Sequence, residues 1–367
     1  MLAYLLRRLL LVIPTLLGIM IINFAVIQAA PGGPVEQIIA RLQGHDVSAT
    51  ARMGGGDQTE MLDLARGPDA AMTSRYRGAH GLDPELILEL EKLYGFDKPA
   101  HVRFVQMMGQ YLTFDFGESF YRDESVVDLV LDKMPVSISL GLWTTLLVYC
   151  ISIPLGVAKA VRDGSRFDVW TSGVVVVGNA VPSFLFAILL IVLFAGGHYL
   201  HWFPLRGIAS WNWESMSTFQ RIADYFWHLC LPILSMVVGG FAGLTLLTKN
   251  SFLDEIGKQY VATARAKGVG ERRVLYGHVF RNAMLIVIAG FPSAFVGILF
   301  TGALLTEIIF SLDGLGLLGY ESVINRDYPV MFATLYFFTL LGLIMQLAGD
   351  LAYTLVDRRI DFESREV

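Results

Sequence analysis

Six long apolar runs restrict what this chain can fold into more than any other feature. They lie at roughly Leu9–Ala30, Pro135–Ala158, Val169–Phe194, Leu229–Thr248, Met284–Phe310 and Val330–Val356. About 20 mainly apolar residues in a helix cross the hydrocarbon core of a bilayer, and a helix satisfies its own backbone groups there. The pattern predicts an all-α integral membrane protein with about six transmembrane helices. Composition agrees, since 54% of residues are hydrophobic and 17% charged, whereas soluble domains are about a quarter charged. Arg7 and Arg8 before the first run resemble the start of a secretory signal, but a signal core is about 7–15 residues and this run is longer. It reads as a retained helix that tolerates Pro14, Asn23 and Gln28.

Charge sets the expected orientation. About 15 of the 28 lysines and arginines fall in the N-terminus, Lys159–Asp168, Lys249–Arg281 and the C-terminal tail. Most of the others lie in one long loop, which has little influence on topology. Both termini are therefore expected in the cytoplasm. The expected divisions are an N-terminal segment with the first span (1–30), an external loop (31–134), a core of five spans (135–356) and a cytoplasmic tail (357–367). The core includes a cytoplasmic loop, 249–283.

In the external loop, Gly44–Ala79 is polar and glycine-rich. Asp83 and Pro84 mark a helix start, Leu86, Leu90 and Leu93 an apolar stripe, and Gly95 a stop. Phe104, Met107, Met108 and Tyr111 suggest a second helix, and Ser125 to Asp128 a capping box opening a third that Pro135 ends. The expectation is a small helical external subdomain. A second outer loop, Gly197–His228, carries Trp202, Trp211, Trp213 and Trp227, which suit interfacial anchoring.

The chemistry of an enzyme is missing from this pattern. A P-loop needs GxxxxGK[ST], and Gly257-Lys258-Gln259 lacks both its spacing and its hydroxyl. No catalytic or metal-ligating set is expected. His198 and His201 are spaced as a metal pair but have no third ligand nearby, and Cys150 and Cys230 read as buried free thiols. A net charge of −5 gives no case for nucleic-acid binding. Glu307 falls near the outer end of the fifth run and Asp350 near the inner end of the sixth, where a carboxylate caps, pairs, or takes a gating or packing role. Pro182, inside the third run, joins them as a gating or packing candidate. Span centres without charge speak against a proton relay, and so against the alternative reading, an ion-coupled secondary transporter.

The cytoplasmic loop is the informative segment. Phe252, Ile256, Val261 and Ala264 have the spacing of one helix face, Ala262, Ala264 and Ala266 keep the segment slim, and Gly268 and Gly270 interrupt it. Val274, Leu275 and Val279 open another helix that leads into the fifth span. A basic, small-faced helix–turn–helix between spans suits docking in a partner's groove, or lying on lipid headgroups.

Tyr260-x-x-Thr263-Ala264-Arg265-Ala266-Lys267-Gly268, with His278-x-x-Arg281-Asn282-Ala283, resembles the coupling loop of permease subunits in the dipeptide/oligopeptide family of ABC importers. The Glu-Ala-Ala of that loop corresponds to Ala262-Thr263-Ala264, with Gly268 as its glycine. The resemblance extends along the chain: Ala30-Pro-Gly-Gly-Pro34, Tyr94-Gly-Phe-Asp-Lys-Pro99, Phe114-Asp-Phe-Gly-Glu-Ser119, Pro154-Leu-Gly156, Pro182-Ser-Phe184, Glu307-Ile-Ile-Phe310 with Gly314-Leu-Gly316, Arg326-Asp-Tyr-Pro329, and Asp350–Asp357 with Ile360. Departures are Leu285–Ile288 where a proline is usual, Asp313 before Gly314-Leu-Gly316, and Asp357-Arg-Arg359 at the end. With the glycine-rich stretch before Gly81, they bring it nearest the YejB subgroup, which serves oligopeptide uptake and in some bacteria microcin C.

The resemblance implies a type I importer in the bacterial inner membrane. A second homologous permease, two ATPase domains (fused or separate) and a periplasmic or lipoprotein peptide-binding protein would be its partners, beside membrane lipid. This chain would bind no cofactor, and ATP and Mg would be used by the ATPase. Tyr260, Ala262–Gly268 and His278 would form the coupling surface, with Arg265 and Lys267 available to partner acids and Arg281 and Asn282 bracing the return helix. Orientation is testable with single cysteines at Asp57 and Lys258 in a background lacking Cys150 and Cys230. A membrane-impermeant reagent added to intact cells should label position 57 and spare position 258; the opposite pattern would reverse the map.

Overall fold

The computed structural model describes residues 2–29, 97–122, 124–196, 199–297 and 304–356. The helix expected at Leu82–Gly95, the Gly44–Ala79 stretch, the motif at Ala30–Pro34, most of the Tyr94–Pro99 motif, His198 and the tail 357–367 lie outside the described residues. Regular structure among those described is helical throughout. The helices are α1 (Leu2–Ala29), α2 (Ala100–Leu112), α3 (Val126–Val161), α4 (Arg166–Ala180), α5 (Ser183–Phe194), α6 (Thr218–Ile256), α7 (Gln259–Ala266), α8 (Glu271–Val274), α9 (Phe280–Ala283), α10 (Leu285–Gly297), α11 (Leu304–Phe310), α12 (Leu315–Ile324) and α13 (Tyr328–Val356). A π turn, Leu275–Val279, joins α8 to α9. Among the described residues four helices are long and apolar enough to cross a membrane, or six if each of two bent pairs is one span.

Several elements depart from the sequence expectation, each for a local reason. Pro135 does not end a helix: α3 runs unbroken for 36 residues through Pro135 and Pro154. A proline removes one hydrogen bond, and a long packed helix absorbs that. Its start is as expected, since the Ser125 hydroxyl accepts from the Asp128 amide at 3.1 Å. The third run is two helices rather than one, α4 and α5, bent by 91°. Val181, before Pro182, is extended (φ −85°, ψ 118°), because a proline's ring disfavours the helical conformation in the residue before it. The fourth helix is longer than its apolar run, at 39 residues, and opens on a complete capping box between Ser217 and Gln220. The cysteines are free, yet Cys150 is exposed and Cys230 half-buried. Lipid tails are as apolar as a protein core, so an apolar run does not require burial within the chain.

The described chain divides into two compact units. One comprises Met1–Val12, Lys133–Leu317 and Phe338–Val367. In it α6 packs on α4 and α5, and α3 lies hard against α6. A Cβ on Gly156 of α3 would sit 2.6 Å from Thr248 Cβ and 2.8 Å from the Thr245 carbonyl oxygen of α6. One turn away, Ser152 donates to the Phe241 carbonyl at 2.9 Å. Arg8 and Asp350 form an ion pair at 2.6 Å.

The other unit comprises Ile13–Asp132 and Leu318–Phe337. Its core is aromatic: Tyr111, Phe116, Tyr336 and Phe337 meet with centroid separations of 4.6–5.5 Å along the chain of contacts. Two distant sequence motifs close on each other here. Asp327 accepts from the Ser119 hydroxyl at 2.5 Å and from the Phe120 amide at 3.2 Å, and Arg122 pairs with Glu321 at 2.7 Å. Burial pushes the Asp327 carboxyl up, opposed by these hydrogen bonds. The turns on either side need positive φ, at Phe114 (57°), Gly117 (73°) and Arg326 (56°).

Gly156→Val forces α3 and α6 apart, and overpacking of this kind costs roughly 1–3 kcal/mol. Its thermal midpoint in detergent should fall below that of Gly173→Val, where an added Cβ meets nothing within 4 Å.

Candidate functional site

The predicted loop folds onto the end of α6. Gly257 and Lys258 turn the chain at the close of α6, with Lys258 extended (ψ 151°) at the start of α7. Gly268 takes φ +77°, a conformation that costs a residue with a Cβ roughly 1–2 kcal/mol. Gly270 then opens α8, extended at ψ 144°.

The loop has an apolar inside and a polar outside. Phe252 and Val261 are fully buried, packed with Val157 and Ala160 of α3 and with Val274, Val279 and Ala283. Ile256 and Ala264 add partly buried surface to the same core, so the four residues predicted to share a face do point inward. Ala262, Thr263, Arg265, Ala266, Lys267, Gly268, His278, Arg281 and Asn282 are exposed, and Tyr260 lies at the edge. The structure therefore gathers the predicted coupling residues onto one loop, with most of them on its open surface.

Polar contacts fix the loop's shape. The Tyr260 hydroxyl donates to Glu255 Oε1 at 2.9 Å and accepts from Asn282 Nδ2 at 3.3 Å, tying the end of α6 to α7 and α9. Burial, with the Glu255 carboxylate beside it, pushes the Tyr260 phenol up, so it remains a donor at neutral pH. Lys258 pairs with Glu255, and Ser251 donates to the Ala283 carbonyl at 2.6 Å. Asn282 thus joins α9 to α7 through one hydrogen bond. Arg265, expected to be available to partner acids, instead makes a two-point pair with Glu271 of its own chain, at 2.8 and 3.1 Å. Both side chains are exposed, so the pair adds little stability; it orients the guanidinium across the Gly268 turn. Beside it lies a groove of about 400 Å³ lined by Ile256, Val274, Leu275, Tyr276 and Val279.

Gly268 is surrounded by open space, since a Cβ there meets nothing within 4 Å. An added Cβ there is opposed by the backbone conformation and not by a neighbour. Gly314 is the opposite case: its Cβ would lie 2.3 Å from Glu307 Oε1 and 2.8 Å from Ser137 Oγ.

The remaining candidates occupy settings of their own. Pro182 marks the α4–α5 break. Glu307 has no exposed surface. Its carboxylate accepts from the Ser137 hydroxyl at 2.9 Å and from the Leu317 amide at 2.7 Å, while Ser137 accepts from the Leu315 amide at 2.8 Å. This caps the first turn of α12, and Gly314-Leu-Gly316 leaves room for the carboxylate. Asp350 is the partner of Arg8. Sequence reasoning missed Lys159, Asp168 and Lys249: the two lysines entered it only as loop charges that set orientation, and Asp168 only as a loop boundary. The usable signal was an acid three residues after Ser165, itself the cap of α4.

Residues 152–362 match the family model described as binding-protein-dependent transport system inner membrane component. The chain belongs to this family. The matched stretch of this inner-membrane component takes in the whole loop together with Pro182, Glu307 and Asp350. Its curated relatives align end to end. It is 62% identical to the peptidoglycan transport system permease protein YejB of Agrobacterium fabrum, over 100% of both chains. It is 58% identical to the inner membrane ABC transporter permease protein YejB of Escherichia coli O157:H7, over 99% of this chain and 100% of the other. It is 34% identical to the oligopeptide transport system permease protein AppB of Bacillus subtilis, over 99% and 100%. The likeness to the YejB subgroup, drawn from motifs, is borne out, as is the all-α multi-span permease fold.

Tyr260→Phe removes the hydroxyl that joins Glu255 to Asn282. A hydrogen bond to a charged group contributes about 1.5–3 kcal/mol, so amides of α7 should exchange with deuterium at least about tenfold faster in this transport component, with spans unaffected; unchanged exchange would show that the apolar core alone holds the loop.

Proposed function

We propose that this chain is one of two membrane-spanning subunits of an ATP-driven importer for oligopeptides or peptide-bearing compounds. The observation that carries the reading is the loop 249–283: a rigid, basic surface with small residues outward, projecting between spans in a chain of this family. Two of the relatives named above are called peptidoglycan and oligopeptide permeases, and a peptide moiety is the chemistry common to those two substrates.

In this reading the second subunit is a homologous permease, and a periplasmic or lipoprotein binding protein delivers the peptide to the outer face. Residues 31–134 lie outside, and both termini and the loop lie in the cytoplasm. Two ATPase domains dock on Ala262–Gly268 and on the side presenting His278 and Arg281. Lys267 is free to meet acidic residues there, while Arg265 is held by Glu271. ATP with Mg is bound and hydrolysed by the partner. Closure of the ATPase pair moves the docked loops, and the two permeases alternate between outward and inward access. Pro182, Glu307 and Asp350 act as packing points about which the spans rearrange: a break, a buried cap and an ion pair.

Gly268→Trp tests the docking surface. The intrachain cost is roughly 1–2 kcal/mol of backbone strain, too little to unfold a multi-span protein, and the Cβ meets no neighbour within 4 Å. Expression and insertion should stay near parental while ATP-dependent peptide uptake is lost, through release of the ATPase or idle hydrolysis. Gly55→Trp in the outer glycine-rich stretch should transport normally. Parental uptake by Gly268→Trp with its ATPase bound, or uptake that follows the proton gradient at constant ATP, would overturn the assignment.

A further inference from the structure

Lys159, near the end of α3, has no exposed surface. Its ammonium donates to the Asp168 carbonyl at 3.0 Å, Thr171 Oγ1 at 3.0 Å and Ser172 Oγ at 2.6 Å, and lies 3.0 Å from Asp168 Oδ1. These partners replace the water that a buried ammonium requires. The other carboxylate oxygen of Asp168, Oδ2, accepts from Lys249 Nζ of α6 at 2.7 Å and from the Gly164 amide at 3.2 Å. Lys249 also reaches Asp163 at 2.8 Å. Two acids and two bases thus neutralise one another in the corner between α3, the 162–165 turn, α4 and α6.

Two further observations give this cluster mechanical meaning. It sits beside a close approach of α3 and α6, at Gly156 against Thr245 and Thr248. Lys249 is also seven residues before the end of α6 at Ile256, about 10 Å along the axis at 1.5 Å per residue, and the Gly257–Lys258 turn into α7 follows immediately. A purely stabilising role would be served as well by apolar side chains of similar volume, since a buried ion pair seldom gains stability over them.

We infer that Asp168 and Lys249 are positioning residues for transport: a carboxylate shared by two lysines makes the α3–α4 corner and the cytoplasmic end of α6 move with the loop as one piece. This rests on the reading of the loop as the ATPase docking element. Motion received at α7 then passes to α4, whose far end is the Pro182 break.

The test uses the full complex with partner ATPase, second permease and binding protein in proteoliposomes, supplied with a pool of isotope-labelled di- to pentapeptides. ATP hydrolysed per peptide imported is the readout. Lys249→Met removes the α6 link and leaves Lys159 and Asp168 paired one to one. It should raise the ratio at least about threefold, within the range by which substitutions along a coupling element act, with the ATPase still bound in parental amount. Lys249→Arg should restore the parental ratio. Asp163→Asn, at a half-exposed position that tolerates the change, should shift the ratio in the same direction by less. If Lys249→Met and Asp163→Asn keep the parental ratio, even with less folded protein, the cluster is structural and the inference is wrong. If Lys249→Met does not fold, the Asp163→Asn ratio decides alone. A parental complex that imports none of the peptides overturns the functional reading and the inference with it, and that failure appears before any substitution is made.

Discussion

The contact on which the loop 249–283 depends is the approach of α3 to α6 at Gly156. The absence of a side chain there lets two long helices touch backbone to side chain. That proximity places Val157 and Ala160 where they cover Phe252 and Val261. Full burial of a large apolar side chain contributes about 1.5–3 kcal/mol, so this wall is what keeps a short, alanine-rich helix such as α7 folded on the membrane domain. α7 has 8 residues, well under the length at which an isolated helix holds in water. Its fold is therefore borrowed from α3, and under the proposed docking it is this support that lets α7 pass movement to the spans.

A second use of glycine solves a different problem. Glu307 is a carboxylate without solvent, and in a low-dielectric setting such a group must find its hydrogen bonds inside the protein. Gly314 and Gly316 let the α12 backbone come close enough for its amides to supply them, with Ser137 completing the set. At Gly268 glycine serves a third purpose, the positive φ of an open turn. Four glycines with the same letter in the sequence thus answer to three needs: packing, charge satisfaction and backbone geometry.

Periodicity and run length made the membrane class, the spans and the inward face of the loop legible, because burial against lipid or core selects apolar residues at fixed spacing. The motif around Tyr260–Gly268 singled out the loop by resemblance. What stayed hidden depended on partners distant in sequence. Lys159 looked like one more positive-inside charge because nothing in its neighbourhood reveals Lys249, 90 positions on. The Val181–Pro182 bend was invisible to hydropathy, which is unchanged across it, although the proline itself was the cue. Pro135 misled in the other direction, since a proline ends a short exposed helix more readily than a long spanning one.

The bond between Ser119 and Asp327 joins groups 208 residues apart. A ribosome builds the chain from the N-terminus, so the Phe114–Ser119 turn exists long before the carboxylate that it will hold. Throughout that interval the amide of Phe120 and the hydroxyl of Ser119 have water, and not Asp327, as their partner. Closure of this unit is thus a late event in biogenesis, waiting until the last span begins to emerge, and the loop-closure entropy of so long a connection is met only then. Quality control acting on a truncated or stalled chain would find this unit open while the helices before it are already in the membrane.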